Sequence, residues 1–238
     1  MSGLKKKRTR LIIAMDGPAG VGKSTVGQFV AGKLGYHFIN TGEMFRALTW
    51  KALAEGVDVE DYAAVVRLAK RLKWEFRPVA GGVALKTFIN GRGVTVHIRS
   101  ERVSANTSAV ASNPGVRDFL CRMQRRLGAG GGIVMEGRDI STHVFPDADF
   151  KFYLDASALE RARRRYKQLK ASGLAADLKN IHAAIVRRDR NDTSRKHNPL
   201  SQAADSVVID STRLSMRQVA DKMLRLIAAG VNKAASRG

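Results

Sequence analysis

Residues 16–25 read Asp16-Gly17-Pro18-Ala19-Gly20-Val21-Gly22-Lys23-Ser24-Thr25, and positions 17–24 match G-x-x-x-x-G-K-[ST] at every fixed position. An apolar run, 11–15, precedes the stretch and an amphipathic run, 25–34, follows it, so the strand–loop–helix context is present. Gly17, Gly20 and Gly22 let the backbone curl until successive N–H groups converge. The next helix adds the positive end of its dipole. Such a cradle suits phosphate. Lys23 can reach the β- and γ-phosphates of a nucleotide, and the Ser24 hydroxyl can ligate Mg²⁺. Residues 17–25 are therefore the expected phosphate-binding site, and Ser24 the expected metal ligand.

Working outward, short apolar runs at 11–15, 37–40, 133–135, 150–154 and 207–210 alternate with helical patterns such as 44–54, 158–172 and 216–228. Alternation of this kind predicts an α/β fold, a five-stranded parallel sheet flanked by helices. One stretch breaks the rhythm. Runs 74–78, 84–89 and 94–98 are β-prone and joined by Gly81-Gly82 and Asn90-Gly91-Arg92-Gly93. They predict a small three-stranded antiparallel insert over about 73–99. The chain thus divides into a basic, disordered arm at 1–10, a single domain at 11–230 and a flexible tail at 231–238.

Within 238 residues the net charge is +21, which favours anionic partners without choosing among nucleotides, nucleic acid and membrane surfaces. No apolar run near the N-terminus is long enough to span a bilayer, and no secretory pattern precedes the first strand. The single cysteine, Cys121, fits a reducing cytoplasm and reads as a buried helical thiol. The [NT]-K-x-D segment by which GTPases read guanine does not occur. A small-molecule kinase remains.

Its acceptor would meet the carboxyl ends of the strands, where ligands sit in open α/β sheets. Thr41-Gly42 closes the second strand and Arg46 follows on the next helix, where it could equally be a surface arginine. Glu136-Gly137-Arg138-Asp139 closes the third strand, and two carboxylates and an arginine around a glycine are hard to explain as packing. In the cluster from Arg188 to Arg195, Arg188, Asp192 and Arg195 fall at i, i+4 and i+7. That spacing suits a lid closing over phosphates, and equally a solvated salt-bridged face. From the dense run at 161–167, Arg161 and Arg165 are expected to share a face, one turn apart, while Arg163, Arg164 and Lys167 are solvated or meet another anion.

Taken in order, these motifs resemble the bacterial cytidylate kinase family, a branch of the P-loop nucleoside monophosphate kinases, from about residue 12 to about 228. The resemblance rests on the stretch at 16–25, Thr41-Gly42 with Arg46, Ser108 before Pro114-Gly-Val-Arg117, and Glu136-Gly-Arg-Asp139. Val144-Phe-Pro-Asp-Ala148, Leu154-Asp-Ala156, Glu160-Arg-Ala162, the 188–195 cluster and Asp210-Ser-Thr212 extend it. It implies an ATP- and Mg²⁺-dependent (d)CMP kinase of pyrimidine metabolism. Positions Ser108, Arg117 and Asp139 would contact cytosine. Arg46, Arg138 and Arg195 would hold the acceptor phosphate beside Thr41, and Arg188 and Asp192 would contact the sugar. Lys23, Arg138, Arg188 and Arg195 would carry catalysis, with ATP on residues 17–25, Arg161 and Arg165 beside it, and residues 158–196 as the lid. The insert would form the NMP-binding part. A monomer is expected, with no membrane partner, and the charge leaves room for weak non-specific nucleic-acid binding. The competing readings are the same fold with UMP or another acceptor, and a nucleic-acid-binding P-loop protein.

Phe45 stands where tyrosine is usual in the family and Ser141 replaces a common glycine, while Thr41 occupies a position that also takes serine and Glu136 is a permitted variant of aspartate. None removes a charged group, so altered affinity at most is expected.

Overall fold

The computed structural model describes residues 10–235. In chain order it begins β1 (Ile12–Asp16), α1 (Lys23–Leu34), β2 (His37–Asn40), α2 (Thr41–Ala54) and α3 (Tyr62–Arg71). The insert strands β3 (Trp74–Pro78), β4 (Leu85–Ile89) and β5 (Arg92–Gly93) follow, then α4 (Glu101–Ser112) and α5 (Pro114–Gly128). The chain ends with β6 (Ile133–Glu136), β7 (Phe150–Asp155), α6 (Ala158–Ala171), α7 (Leu178–Ser194), β8 (Val207–Asp210) and α8 (Met216–Ala235).

The main sheet has the order β2-β6-β1-β7-β8, with every pairing parallel. Its central strand is buried at every residue, as expected for a sheet covered on both faces. Period-two alternation splits that strand between two cores. Ile13 and Met15 pack with Val30, Phe152 and Met223 on one face. Ile12 and Ala14 pack with Met135, Phe145 and the free thiol of Cys121 on the other. The loop at 17–22 therefore leaves the middle of the sheet, at its carboxyl edge.

The insert is a three-stranded sheet in the order β3-β4-β5, but its third strand is shorter than expected. Asn90 and Gly91, both at positive φ (52° and 78°), make a two-residue hairpin turn, and Arg92-Gly93 already belongs to β5. Beyond it the run 94–98 is not a strand. Extended backbone would place Val94, Val96 and Ile98 on one face, yet Val94 and Ile98 are buried while Val96 is 82% exposed. The chain coils instead, Ile98 N–H donating to Val94 O at 3.1 Å before a 3₁₀ turn at His97–Arg99. Nor does the insert stand apart. Phe38 N–H of β2 donates to Val83 O at 2.9 Å, and Ile89 and Val94 share a core with α2, α3 and α5.

At the boundaries, Arg10 belongs to the domain, because its guanidinium donates to Gly35 O at 2.5 Å and lies over the Tyr36 ring. The rest of the expected arm, 1–9, lies outside the described residues. α8 continues to Ala235, past the expected start of a tail at 231, and 236–238 are likewise outside.

Candidate active site

Gly17 runs at φ 140°, and a Cβ there would lie 2.0 Å from Leu154 O of β7, so only glycine fits between the strands. Gly22, at φ 96°, turns the chain into α1. Lys23 opens that helix and folds back over the loop, its Nζ donating to Gly17 O and Pro18 O at 2.7 Å each. Burial, and next the charge of Arg138, lower the Lys23 pKa to about 7, against the opposing pull of Glu136 and Asp16. Ser24 Oγ donates to Glu136 Oε1 at 2.5 Å, and Asn40 Nδ2 reaches the same hydroxyl at 3.4 Å. Burial raises the Glu136 pKa, and Lys23 and Ser24 pull it back. Thr25 is exposed on the first turn of α1.

Two arginines of α6 close on this loop. Arg161 donates to Ala19 O (3.0 Å) and Ala156 O (2.9 Å), and forks onto Asp189 of α7 at 3.0 and 2.5 Å. Arg164 reaches Val21 O at 3.4 Å and Ser211 O at 2.6 Å. The side chain that accompanies Arg161 at the loop is thus Arg164, not Arg165. A separation of four residues rotates the helix by about 400°, which leaves the companion position to whichever side chain finds acceptors. Arg165 is exposed, bonds Gln168 at 2.8 Å and turns its charge toward Arg46.

Across the sheet edge, Thr41 Oγ1 donates to Glu136 O at 2.8 Å, locking α2 onto the end of β6. Arg46 is no loose surface arginine: its Nε donates to Ile98 O and its Nη2 to Ser104 Oγ, both at 2.7 Å. Arg117, buried on α5, donates to Ala111 O at 3.0 Å and to Asp139 Oδ2 at 2.5 Å, and its buried Nε has no partner. Phe45, on α2, lies under that guanidinium at 5.5 Å. Ser108 stands half-buried on the neighbouring α4.

Helix α6 packs against α7, and α7 also touches α4. Arg138 Nε donates to Asp192 Oδ2 at 2.8 Å, and Arg195 Nη1 stands 3.8 Å from Asp192 Oδ1. Burial would raise the Asp192 pKa, but Arg138, Arg195 and Arg188 outweigh it and hold the carboxyl below its usual range. The i, i+4, i+7 relation expected from Arg188 to Arg195 is modified, because α7 stops at Ser194 and Arg195 has left the helix, at φ −58° and ψ 136°. Burial, and then Arg138, depress the pKa of Arg188, Asp192 and Asp189 oppose them, and Arg46 adds to the repulsion. Among the described residues Arg188 makes no hydrogen bond or ion pair. Arg46, Arg138 and Arg188 therefore face one region from α2, the end of β6 and α7, with more positive charge than the chain neutralises. Such an arrangement has the chemistry to hold a compact polyanion.

The family profile described as Cytidylate kinase matches residues 13–229. The chain belongs to the cytidylate kinase family. It is 44% identical over 220 residues to the cytidylate kinase of Geobacillus kaustophilus (strain HTA426), covering 92% of this chain and 97% of that one. It is 45% identical over 220 residues to that of Geobacter sulfurreducens (92% and 94% covered). Among solved structures, an uncharacterised protein from Eubacterium ventriosum shares the fold, with a TM-score of 0.52 at 12% identity over 92% of this chain and 99% of that one.

Of the residues expected from sequence for a cytidylate kinase, the structure brings Arg46, Arg138, Arg188, Asp192 and Arg195 within reach of one another, pairs Arg117 with Asp139, and sets Thr41 on the end of β6. Sequence reasoning missed Asp189, Arg164, Ser104 and the way Asp16 is used. Asp189 had a signal, lying inside the 188–195 cluster, but its partner stands 28 residues away on another helix. Arg164 had none to separate it from its neighbours in a run of three arginines.

Proposed function

We propose that the chain transfers the γ-phosphoryl group of ATP to CMP and dCMP, forming CDP and dCDP. The observation that carries the acceptor side is the convergence of Arg46, Arg138 and Arg188 within reach of Lys23, where among the described residues only Arg138 has a carboxylate, Asp192, in direct contact. A nucleoside monophosphate dianion supplies the missing charge.

On this reading ATP lies along 17–25, where its phosphates replace the loop carbonyls as partners of Lys23. The acceptor phosphate meets Arg46, Arg138 and Arg195, the sugar meets Arg188 and Asp192, and the base meets Ser108, Arg117 and Asp139. Asp139 has one oxygen on Arg117 and can accept from the cytosine amino group with the other, while the unpartnered Arg117 Nε can donate to the base. Uracil inverts that pattern, offering an acceptor to a carboxylate.

Among the described residues no cluster of three or more His, Cys, Asp or Glu could enclose a metal. The Ser24 hydroxyl beside the Glu136 carboxylate suits Mg²⁺, which keeps several waters and takes the rest of its ligands from substrate phosphates. When bound, it would supply a Lewis acid that offsets charge developing on the transferring phosphoryl group. The chain's own part is positioning and charge: Lys23 and the arginines hold donor and acceptor in line, and the lid excludes the water that would hydrolyse ATP. No described helix is long and apolar enough to cross a membrane. We place the enzyme in the cytoplasm as a monomer, a reading the free thiol supports.

An ADP-release assay with CMP, dCMP, UMP, AMP and GMP tests this. Fast release with the cytidine nucleotides alone is expected. Equal kcat/KM for UMP and CMP overturns the acceptor reading.

A further inference from the structure

Asp139 opens a π-helical turn, Ile140–Val144, closed by Val144 N–H and Phe145 N–H donating to Asp139 O (3.1 Å) and Ile140 O (2.7 Å). Turns of this kind concentrate at functional sites. A carboxylate at this position would ordinarily accept from the first free N–H groups of its own turn. Here it does not. Its Oδ2 faces Arg117 at 2.5 Å instead.

The free N–H groups are satisfied from elsewhere. Asp16, fully buried at the end of β1, accepts Ile140 N–H on Oδ1 at 2.8 Å and Ser141 N–H on Oδ2 at 2.7 Å. The Ser141 hydroxyl donates to the same Oδ2. All three bonds go to the residues that follow Asp139, and none to residues 17–25. One residue earlier, Met15 O accepts Gly137 N–H at 2.9 Å, so β1 grips the Gly137–Ser141 segment at both ends.

We propose that Asp16 is a positioning residue for acceptor choice: by capping Ile140 and Ser141 from β1, it leaves the Asp139 carboxylate free to face Arg117 and the incoming base. The inference rests on the reading that Asp139 meets the base. Without the cap, two buried N–H groups and a hydroxyl need a new acceptor, and Asp139 is the nearest carboxylate in sequence. Charge-assisted bonds of this kind are about twice as strong as neutral ones, so the competition for Asp139 is strong. Asp139 turned onto its own amides no longer selects an amino donor over a carbonyl oxygen.

The test is the ratio of kcat/KM for CMP to that for UMP, at saturating ATP, in the full chain and in Asp139→Ala, Asp16→Asn and Ser141→Ala. A ratio cancels any effect of Asp16 on Lys23, which both acceptors share, and a purely structural defect lowers both values together. Thermal melting reports folding. Asp16→Asn sets an amide NH₂ against donors and is expected to lower the ratio about tenfold or more, chiefly by raising KM for CMP. Ser141→Ala, which keeps two of the three bonds, is expected to lower it about threefold. Folded Asp16→Asn and Ser141→Ala variants with the wild-type ratio overturn the proposal while a collapsed ratio in Asp139→Ala leaves the base reading standing. Should Asp16→Asn not fold, an unchanged ratio in Ser141→Ala overturns it alone. A wild-type ratio near one, or one that Asp139→Ala leaves intact, removes the base reading and this inference with it.

Discussion

The guanidinium of Arg117 and the carboxylate of Asp139 meet at 2.5 Å in the interior, with the ring of Phe45 5.5 Å beneath the arginine. The pair joins α5 to the end of β6, and the buried Arg117 Nε is left without a partner. In the proposed base pocket UMP would mismatch both side chains. Each stranded group costs about 1–3 kcal/mol, so two predict CMP over UMP by about two to four orders of magnitude in kcat/KM. Asp139→Ala should damage CMP use far more than UMP use. Steady-state rates with both acceptors check it, and a variant that loses the two in proportion contradicts the assigned role.

Lys23 donates only to loop carbonyls in the free chain, so its removal strands no buried carboxylate in a direct ion pair. Lys23→Ala should keep the fold and lower turnover by about a hundredfold to a thousandfold or more. Circular dichroism and the ADP-release assay decide it together. A folded variant with a tenth of the activity would sink the loop assignment.

The same lysine predicts a pH dependence. With its pKa lowered to about 7, the free enzyme holds the Lys23 proton below that pH and loses it above. The kcat/KM for ATP reports the free enzyme, so it should fall as pH rises through about 7. Bound phosphates favour the charged lysine, and kcat should persist to higher pH. Profiles in excess Mg²⁺ between about pH 6 and 9 test this, and a flat kcat/KM for ATP would speak against it.

Arg138 and Arg188 should respond in opposite ways to loss of charge. Arg138→Gln leaves the buried Asp192 without its closest donor and should cost about 1–3 kcal/mol of stability. Arg188→Gln removes repulsion from Arg138 and Arg46 and should leave Tm unchanged or raise it, while raising KM for CMP about tenfold or more. Melting curves and CMP titrations of both variants measure the contrast. A large loss of Tm in Arg188→Gln would show that its charge is satisfied within the chain.

The five main strands, their flanking helices and the phosphate loop were legible in the chain by itself, because each is written in neighbouring residues. Continuous apolar runs mark buried parallel strands, and three glycines before Lys23-Ser24 make one local turn whatever surrounds them. The acceptor residues were legible as types at strand ends. Their partners were not. That Arg164 rather than Arg165 joins Arg161 at the loop depends on where Val21 O and Ser211 O lie, on two other elements. The run 94–98 alternates like a strand, but burial of Val94 and Ile98 with Val96 in solvent outweighs that local preference. Asp16 reads as the residue before a glycine loop, and only the parallel register of β1 on β6 brings its carboxylate to Ile140 and Ser141, 124 and 125 residues away. Hydrogen bonds to charged groups act over about 3 Å, and sequence order carries no such distances between elements. Local pattern determined the scaffold, and packing of distant elements decided which charge meets which.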